Sequence, residues 1–280
     1  MKTLKIPLSD KSAKDIFEEC ARDFIRKTEY MEVALSYVNQ VEICSHEYLK
    51  YVPKNIASLT TPKIDSKERK IIEKVYSQKF SPENSIGRKY YDIIMGNAKG
   101  RCPICGCGKA KNLDHFLPKS TYPLLCVTPV NLIPTCRDCN MEKKNYSSTN
   151  YYEIPFHPYL DQMDDRWVEC ELHFYNDGTF LVKYKNGYNQ DLDHDKWKKY
   201  DIHMKLNDLC NTFNCRAEEE IENTKEYYKK ELLTCGKDNV TSSLKEVVKS
   251  AETIDVNSWK SALYRALVKN IDAFCRWLSC

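Results

Sequence analysis

Two C-x-x-C pairs, Cys102-Pro-Ile-Cys105 and Cys136-Arg-Asp-Cys139, stand 30 residues apart in a chain of 280. Four thiolates at this spacing can close a tetrahedral sphere around one Zn²⁺, drawing both ends of the intervening segment to a single point. Such a site is structural, because it leaves no open position for water or substrate. An iron–sulfur cluster could use the same four ligands. A redox dithiol needs only one pair beside a βαβ pattern, which is absent here. Cys107 is also within ligand spacing of Cys105, but we expect Cys102, Cys105, Cys136 and Cys139 to be the set. Taken alone, the four cysteines describe a zinc ribbon or an adaptor module.

The chain has fourteen cysteines. A disulfide scaffold would require a short exported chain, and this one is long and begins MKTLKIPLSDKSAKD, where charge interrupts any apolar leader region. We expect a reducing cytoplasm, with most of the other ten cysteines acting as small buried hydrophobes. No run of about 18 apolar residues is present, so no spanning helix and no membrane partner are expected. Net charge is only +3. Between Asn97 and Asn145, however, eight Lys/Arg face three acids, a net of +5 that leaves −2 for the rest. Positive charge is thus concentrated around the cysteine motif, as binding of phosphates requires.

The flanks read differently from this segment. Over residues 1–95 apolar residues recur at four-residue spacing (Ile16, Cys20, Phe24; Val33, Tyr37, Val41; Ile72, Tyr76, Phe80), with Pro53, Pro62 and Pro82 as breaks. This predicts an N-terminal helical region with core-facing stripes. Residues 96–157 form a cysteine- and proline-rich segment. Beyond it, 158–280 opens with alternation at Val168, Cys170, Leu172 and Phe174, then Asn176-Asp177-Gly178, then Phe180, Val182 and Tyr184. That pattern predicts a β-hairpin. Helical stripes follow at Ala217, Ile221, Tyr228 and Leu232, and at Trp259, Leu263, Leu267, Ile271, Phe274 and Leu278, with 235–243 read as a loop between them. The fold class expected is α+β, mostly helical.

Inside the 30-residue interval lie Asp114-His115 in LDHFLPKS and Asn131 in NLIPTC, and Asn140 directly follows the last cysteine in CNMEKK. An adaptor needs none of these. An imidazole titrates near neutrality and suits activation of water, and a carboxylate with an amide oxygen suits a hard cation. The order Cys-x-x-Cys, Asp-His, Asn-Leu, Cys-x-x-Cys-Asn-x-x-Lys resembles the HNH endonuclease family of the zinc-braced ββα-metal type, over about 45 residues of this chain.

The resemblance implies a metal-dependent phosphodiester hydrolase. His115 would be the general base and Asn131 the central asparagine that ties the two strands and holds the base. Asp114 and Asn140 would hold the catalytic ion, with asparagine replacing the histidine often found third, so that an all-oxygen site favours Mg²⁺ or Mn²⁺. Lys119, Arg137, Lys143 and Lys144 are the expected phosphate contacts on a nucleic-acid partner, DNA favoured. His157, in FHPY, matches a His-Pro often found near such sites, although packing explains it equally well; His46, His173, His194 and His203 have no assigned role. The longer form LDHFLPKS-x-YP with NLIPTC-x-x-C-N and a later HPY looks like HNH subunits of bacterial anti-phage systems of the Septu and retron-associated kind, which implies an ATPase partner docked on the helical flanks. A stand-alone restriction-type or mobile-element nuclease fits the same core.

Overall fold

The computed structural model describes residues 3–24, 28–162 and 165–280. The parts of the N-terminal expectation that fall on residues 1, 2 and 25–27 lie outside these. The fold is α+β and mostly helical, and it comprises two compact units, one within Lys2–Met163 and the other within Asp164–Cys280.

The first unit begins with helices α1 (Ala13–Arg22), α2 (Thr28–Ser36), α3 (Val38–Tyr51) and α4 (Ser66–Lys74), followed by a π-helical turn over Val75–Phe80 and α5 (Arg88–Asn97). Ser12 caps α1 through a reciprocal box: its Oγ accepts from the Asp15 amide at 3.0 Å, and Asp15 Oδ2 accepts from the Ser12 amide. Ile16 and Cys20 face the core as their spacing predicts. The Val33–Tyr37–Val41 stripe does not belong to one helix, because Tyr37 is the junction between α2 and α3. Ile72, Tyr76 and Phe80 do share one buried face, but the helix widens into the π turn between them. A π turn holds more residues than an α turn, so a four-residue stripe stays in register across it.

Two short strands follow, β1 (Asn112–His115) and β2 (Leu132–Thr135), and then α6 (Arg137–Lys143). The strands are antiparallel, with Leu113 opposite Pro134, Asp114 opposite Ile133 and His115 opposite Leu132. Helix α5 packs on this two-stranded sheet and α6 packs on β1. The result is a strand–strand–helix unit whose long connection, residues 116–131, is almost wholly buried from Phe116 to Pro118 and from Pro123 to Asn131.

In the second unit β3 (Val168–Phe174) and β4 (Phe180–Asn186) form the predicted hairpin, turned at Gly178 with φ +85°. Helices α7 (His194–Leu206), α8 (Leu209–Cys235), α9 (Lys237–Ile254), α10 (Trp259–Lys269) and α11 (Ile271–Leu278) complete it. The loop expected at 235–243 is absent: Gly236 alone, at φ +80°, separates α8 from α9. Its polar residues misled the reading, since Thr241 and Ser242 donate back to the carbonyls of Lys237 and Asp238 within the helix. The long C-terminal stripe is likewise two helices, broken at Asn270.

All fourteen cysteines are free thiols. Of the ten outside the two C-x-x-C pairs, only Cys20, Cys44, Cys126 and Cys170 are fully buried, fewer than expected; the others lie on helix or loop surfaces. No helix among the described residues is long and apolar enough to cross a membrane.

Candidate functional site

The first C-x-x-C pair sits in a tight knuckle. The Gly106 amide bonds back to Cys102 O at 2.9 Å, and Gly106 takes φ +69°, a conformation that costs glycine nothing. The amides of Cys107 and Gly108 then point at Cys105 Sγ, 3.4 and 3.3 Å away. The second pair opens α6: Cys136 is its N-cap, and Cys136 Sγ accepts from the Cys139 amide at 3.5 Å. All four sulfurs are buried and lie within 4.8 Å of one another, Cys105 and Cys136 being 3.9 Å apart. Tetrahedral Zn–S bonds of about 2.3 Å place sulfurs about 3.8 Å apart, so these residues fit one zinc ion with small adjustment. Mutual hydrogen bonding among the thiols raises Cys102 and Cys139 and lowers Cys105 and Cys136. Cys107 lies outside the cluster, its thiol directed to Cys105 O.

Strand alternation separates the two neighbours of the Asp-His pair. Leu113 and His115 face the interior and Asn112 and Asp114 the other side. The His115 side chain is enclosed by Tyr76, whose ring centroid is 4.5 Å from the imidazole, and His115 Nε2 lies 2.8 Å from Cys126 O. A carbonyl can only accept, so Nε2 carries the proton and Nδ1 keeps its lone pair. Burial pushes the imidazole pKa down to about 3, and the ammonium groups of Lys119 and Lys143 add to the shift against the Cys126 carbonyl. His115 is therefore a neutral imidazole whose Nδ1 has no hydrogen-bond partner among the described residues.

Asn131 fastens the loop that leads into Cys126. This fully buried side chain accepts from the Leu117 amide at 2.8 Å and donates to Leu117 O and Leu125 O at 3.1 and 3.2 Å. Together these bonds fasten both ends of the 117–125 loop, immediately before Cys126.

Asp114 meets a partner that its sequence position did not suggest. Lys143 Nζ lies 3.1 Å from Asp114 Oδ2 and donates to His115 O at 2.7 Å. The expectation that Lys143 contacts phosphates is corrected here: its side chain is 8% exposed. The reason is helical period, since Cys139 and Lys143 are four residues apart on the inward face of α6 while Arg137, Met141 and Lys144 face outward. Desolvation raises the Asp114 carboxyl pKa, and Lys143 pulls against it.

Asn140 is half-buried on α6, between the last cysteine and Lys143, and its side chain makes no hydrogen bond among the described residues. Asp114 on β1 and Asn140 on α6 carry side-chain oxygens of the kind a hard cation takes. Arg137 and Lys144 are exposed, and Lys119 is half-exposed with its amine 4.8 Å over the Tyr76 ring. His157 is buried away from solvent: the Tyr159 amide donates to its Nδ1, its Nε2 lies 2.7 Å from Tyr48 Oη, and its ring packs 4.3 Å from Phe116. It supports the residue that follows His115.

Sequence reading did not single out Tyr76, Tyr91 or the Cys126 carbonyl. Tyr91 Oη accepts from the Leu113 amide and Tyr76 Oη donates to Leu113 O, so two N-terminal aromatics fasten β1. The helical stripe showed that Tyr76 is buried, but not what it touches.

Two known proteins are similar to this chain. Protein ea31 of Escherichia phage lambda is 29% identical over 220 residues, which span 72% of this chain and 73% of its own. Septu protein PtuB of Bacillus thuringiensis is 36% identical over 72 residues, 23% of this chain and 28% of its own. No family model matches the chain, and no solved structure matches it.

Proposed function

We propose that the chain is a metal-dependent endonuclease of the HNH type, hydrolysing phosphodiester bonds of nucleic acid, with DNA favoured. The observation that carries this reading is how His115 is held: Nε2–H on Cys126 O fixes the ring, and Nδ1 has no hydrogen-bond partner among the described residues. A general base must present such a lone pair from a fixed ring. It stands on a strand–strand–helix unit whose ends meet at four thiols, in the order that the HNH motif predicts. A zinc adaptor would gain nothing from burying an imidazole, an ammonium and a carboxylate beside its metal site, each at a cost in desolvation.

In this reading Nδ1 of His115 takes a proton from water as the water attacks phosphorus. Asn131 keeps the 117–125 loop, and hence the imidazole, in place. Asp114 and Asn140 would hold a divalent cation, which would supply charge neutralisation for the departing 3′ oxygen, and that oxygen would take its proton from solvent. The products carry 5′-phosphate and 3′-hydroxyl ends. Cys102, Cys105, Cys136 and Cys139 hold zinc, which ties the start of α6 to the knuckle preceding β1 and so fixes the Asn140 backbone relative to Asp114. Arg137 and Lys144 contact phosphates.

The biological role proposed is that of the effector nuclease of an anti-phage defence complex with an ATPase partner, supported by the similarity to Septu protein PtuB. The longer similarity, to a protein of phage lambda, favours a second reading: a stand-alone or mobile-element nuclease. Phage plating on cells carrying the chain with its neighbouring genes separates them, since only the defence reading predicts protection that a His115→Ala variant loses. The activity itself is tested with purified protein, Mg²⁺ or Mn²⁺, and end-group analysis of the products. Asp114→Asn and Asn140→Ala should each raise the metal concentration for half-maximal cleavage by about tenfold or more. Unchanged metal dependence in both would remove Asp114 and Asn140 from the site.

A further inference from the structure

Tyr76 lies outside every motif that suggested a nuclease, in the N-terminal helical region, yet it touches the centre of the site. It is the second residue of the π-helical turn Val75–Phe80, and π turns inside helices recur at functional positions. Three kinds of contact meet on this one side chain. The His115 imidazole lies 4.5 Å away at an interplanar angle of 68°. The hydroxyl donates to Leu113 O at 3.2 Å, on the same strand as His115. The Lys119 amine stands 4.8 Å over the ring, while Phe80 stacks on the ring at 5.5 Å and fixes its orientation.

The two lysines nearest His115 differ in what they have left to offer. Lys143 is paired with Asp114, so its charge is neutralised within the protein. Lys119 has no carboxylate partner among the described residues; what holds it is the negative face of an aromatic ring, which orients an ammonium group without cancelling its charge. A free lysine is a flexible point charge, and ordering it on binding is costly. One already held beside the catalytic imidazole avoids that cost.

We propose that Tyr76 is a positioning residue that holds the Lys119 ammonium beside His115 as the receiving group for a non-bridging oxygen of the scissile phosphate. The inference rests on the nuclease reading and adds to it a phosphate subsite made of Lys119 and a residue from the helical region. Tyr76 acts through electrostatics of its ring, so changing the ring's electron density at constant shape should change phosphate binding.

The test replaces Tyr76 with phenylalanine and then with trifluorophenylalanine, which keeps the shape but removes the negative face. Affinity for a short labelled duplex, DNA or RNA according to which the wild type cleaves, is measured in Ca²⁺ across a salt series. Tyr76→Phe should bind within about twofold of wild type, and the fluorinated ring should weaken binding by about three- to tenfold. Lys119→Met should lose a similar factor, lower the salt slope by about one and abolish the difference between the two rings. Equal affinity for both rings, or an undiminished difference in the Lys119→Met background, would overturn the proposal. Both replacement rings lose the hydroxyl bond to Leu113 O, so zinc content and melting temperature are compared between these two variants, where they should be equal, while Lys119→Met, at a half-exposed position, should keep the values of its parent. A wild type that neither binds nor cleaves nucleic acid defeats the nuclease reading and this inference with it; a wild type that cleaves, with a flat ring series, defeats this inference alone.

Discussion

At the scale of single residues, the buried Asp114–Lys143 pair is the feature most sensitive to change. Both side chains are largely withdrawn from water, and the ammonium also serves His115 O. Removing one member strands the other charge in a poorly solvated place, which costs about 3–5 kcal/mol. Lys143→Met should therefore lower the chemical-unfolding midpoint of the full chain sharply, whereas Lys144→Met, one residue on and exposed, should leave it within error. His115 gives a second, pH-dependent prediction. Its folded pKa of about 3 lies below the ordinary 6.5, so the unfolded chain binds a proton that the folded chain refuses between those values. Stability from this group is complete above pH 6.5 and is lost as pH falls toward 3, at up to about 1.4 kcal/mol per pH unit. His115→Asn should flatten the acid limb of stability by one proton; an unchanged slope would show that the imidazole is not sealed as described. The sequence reading took Lys143 as a surface lysine, although its four-residue spacing from the buried Cys139 already places it on the inward face of α6.

At the scale of elements, β1, β2 and α6 are too short to fix their own geometry. Four-residue strands and a seven-residue helix depend on tertiary ties, which here are the thiol cluster, the Asn131 bonds and the packing of α5. The knuckle leaves no room at Gly108: a Cβ there would lie 2.5 Å from Cys136 Cβ and 2.8 Å from its sulfur. Gly108→Ala should therefore lower zinc content and melting temperature together, and saturating zinc should restore only part of the loss. Retention of one zinc per chain at the wild-type melting temperature would contradict the closeness of the two cysteine pairs. The cysteine spacing made this element legible, since a tetrahedral ion constrains residues far apart in sequence. The π turn at 75–80 and the helix through 237–243 were not legible: both depend on how side chains pack or bond back to the helix, and composition alone reports neither.

At the scale of the whole molecule, the mostly helical α+β class and the hairpin at 168–186 followed from hydrophobic period. Period does not show that residues of the N-terminal helices reach the Asp-His strand. Tyr76 and Tyr91, more than twenty residues upstream of it, do so by hydrogen-bonding to Leu113, and both belong to the same compact unit as the four-thiol cluster. The most direct test is single-turnover cleavage of supercoiled plasmid by wild type and His115→Ala in Mn²⁺, with zinc content matched between the two. The account predicts cleavage by the wild type and a rate at least about 100-fold lower in the variant. Equal rates in the two proteins, or no cleavage by a zinc-replete wild type, would contradict it.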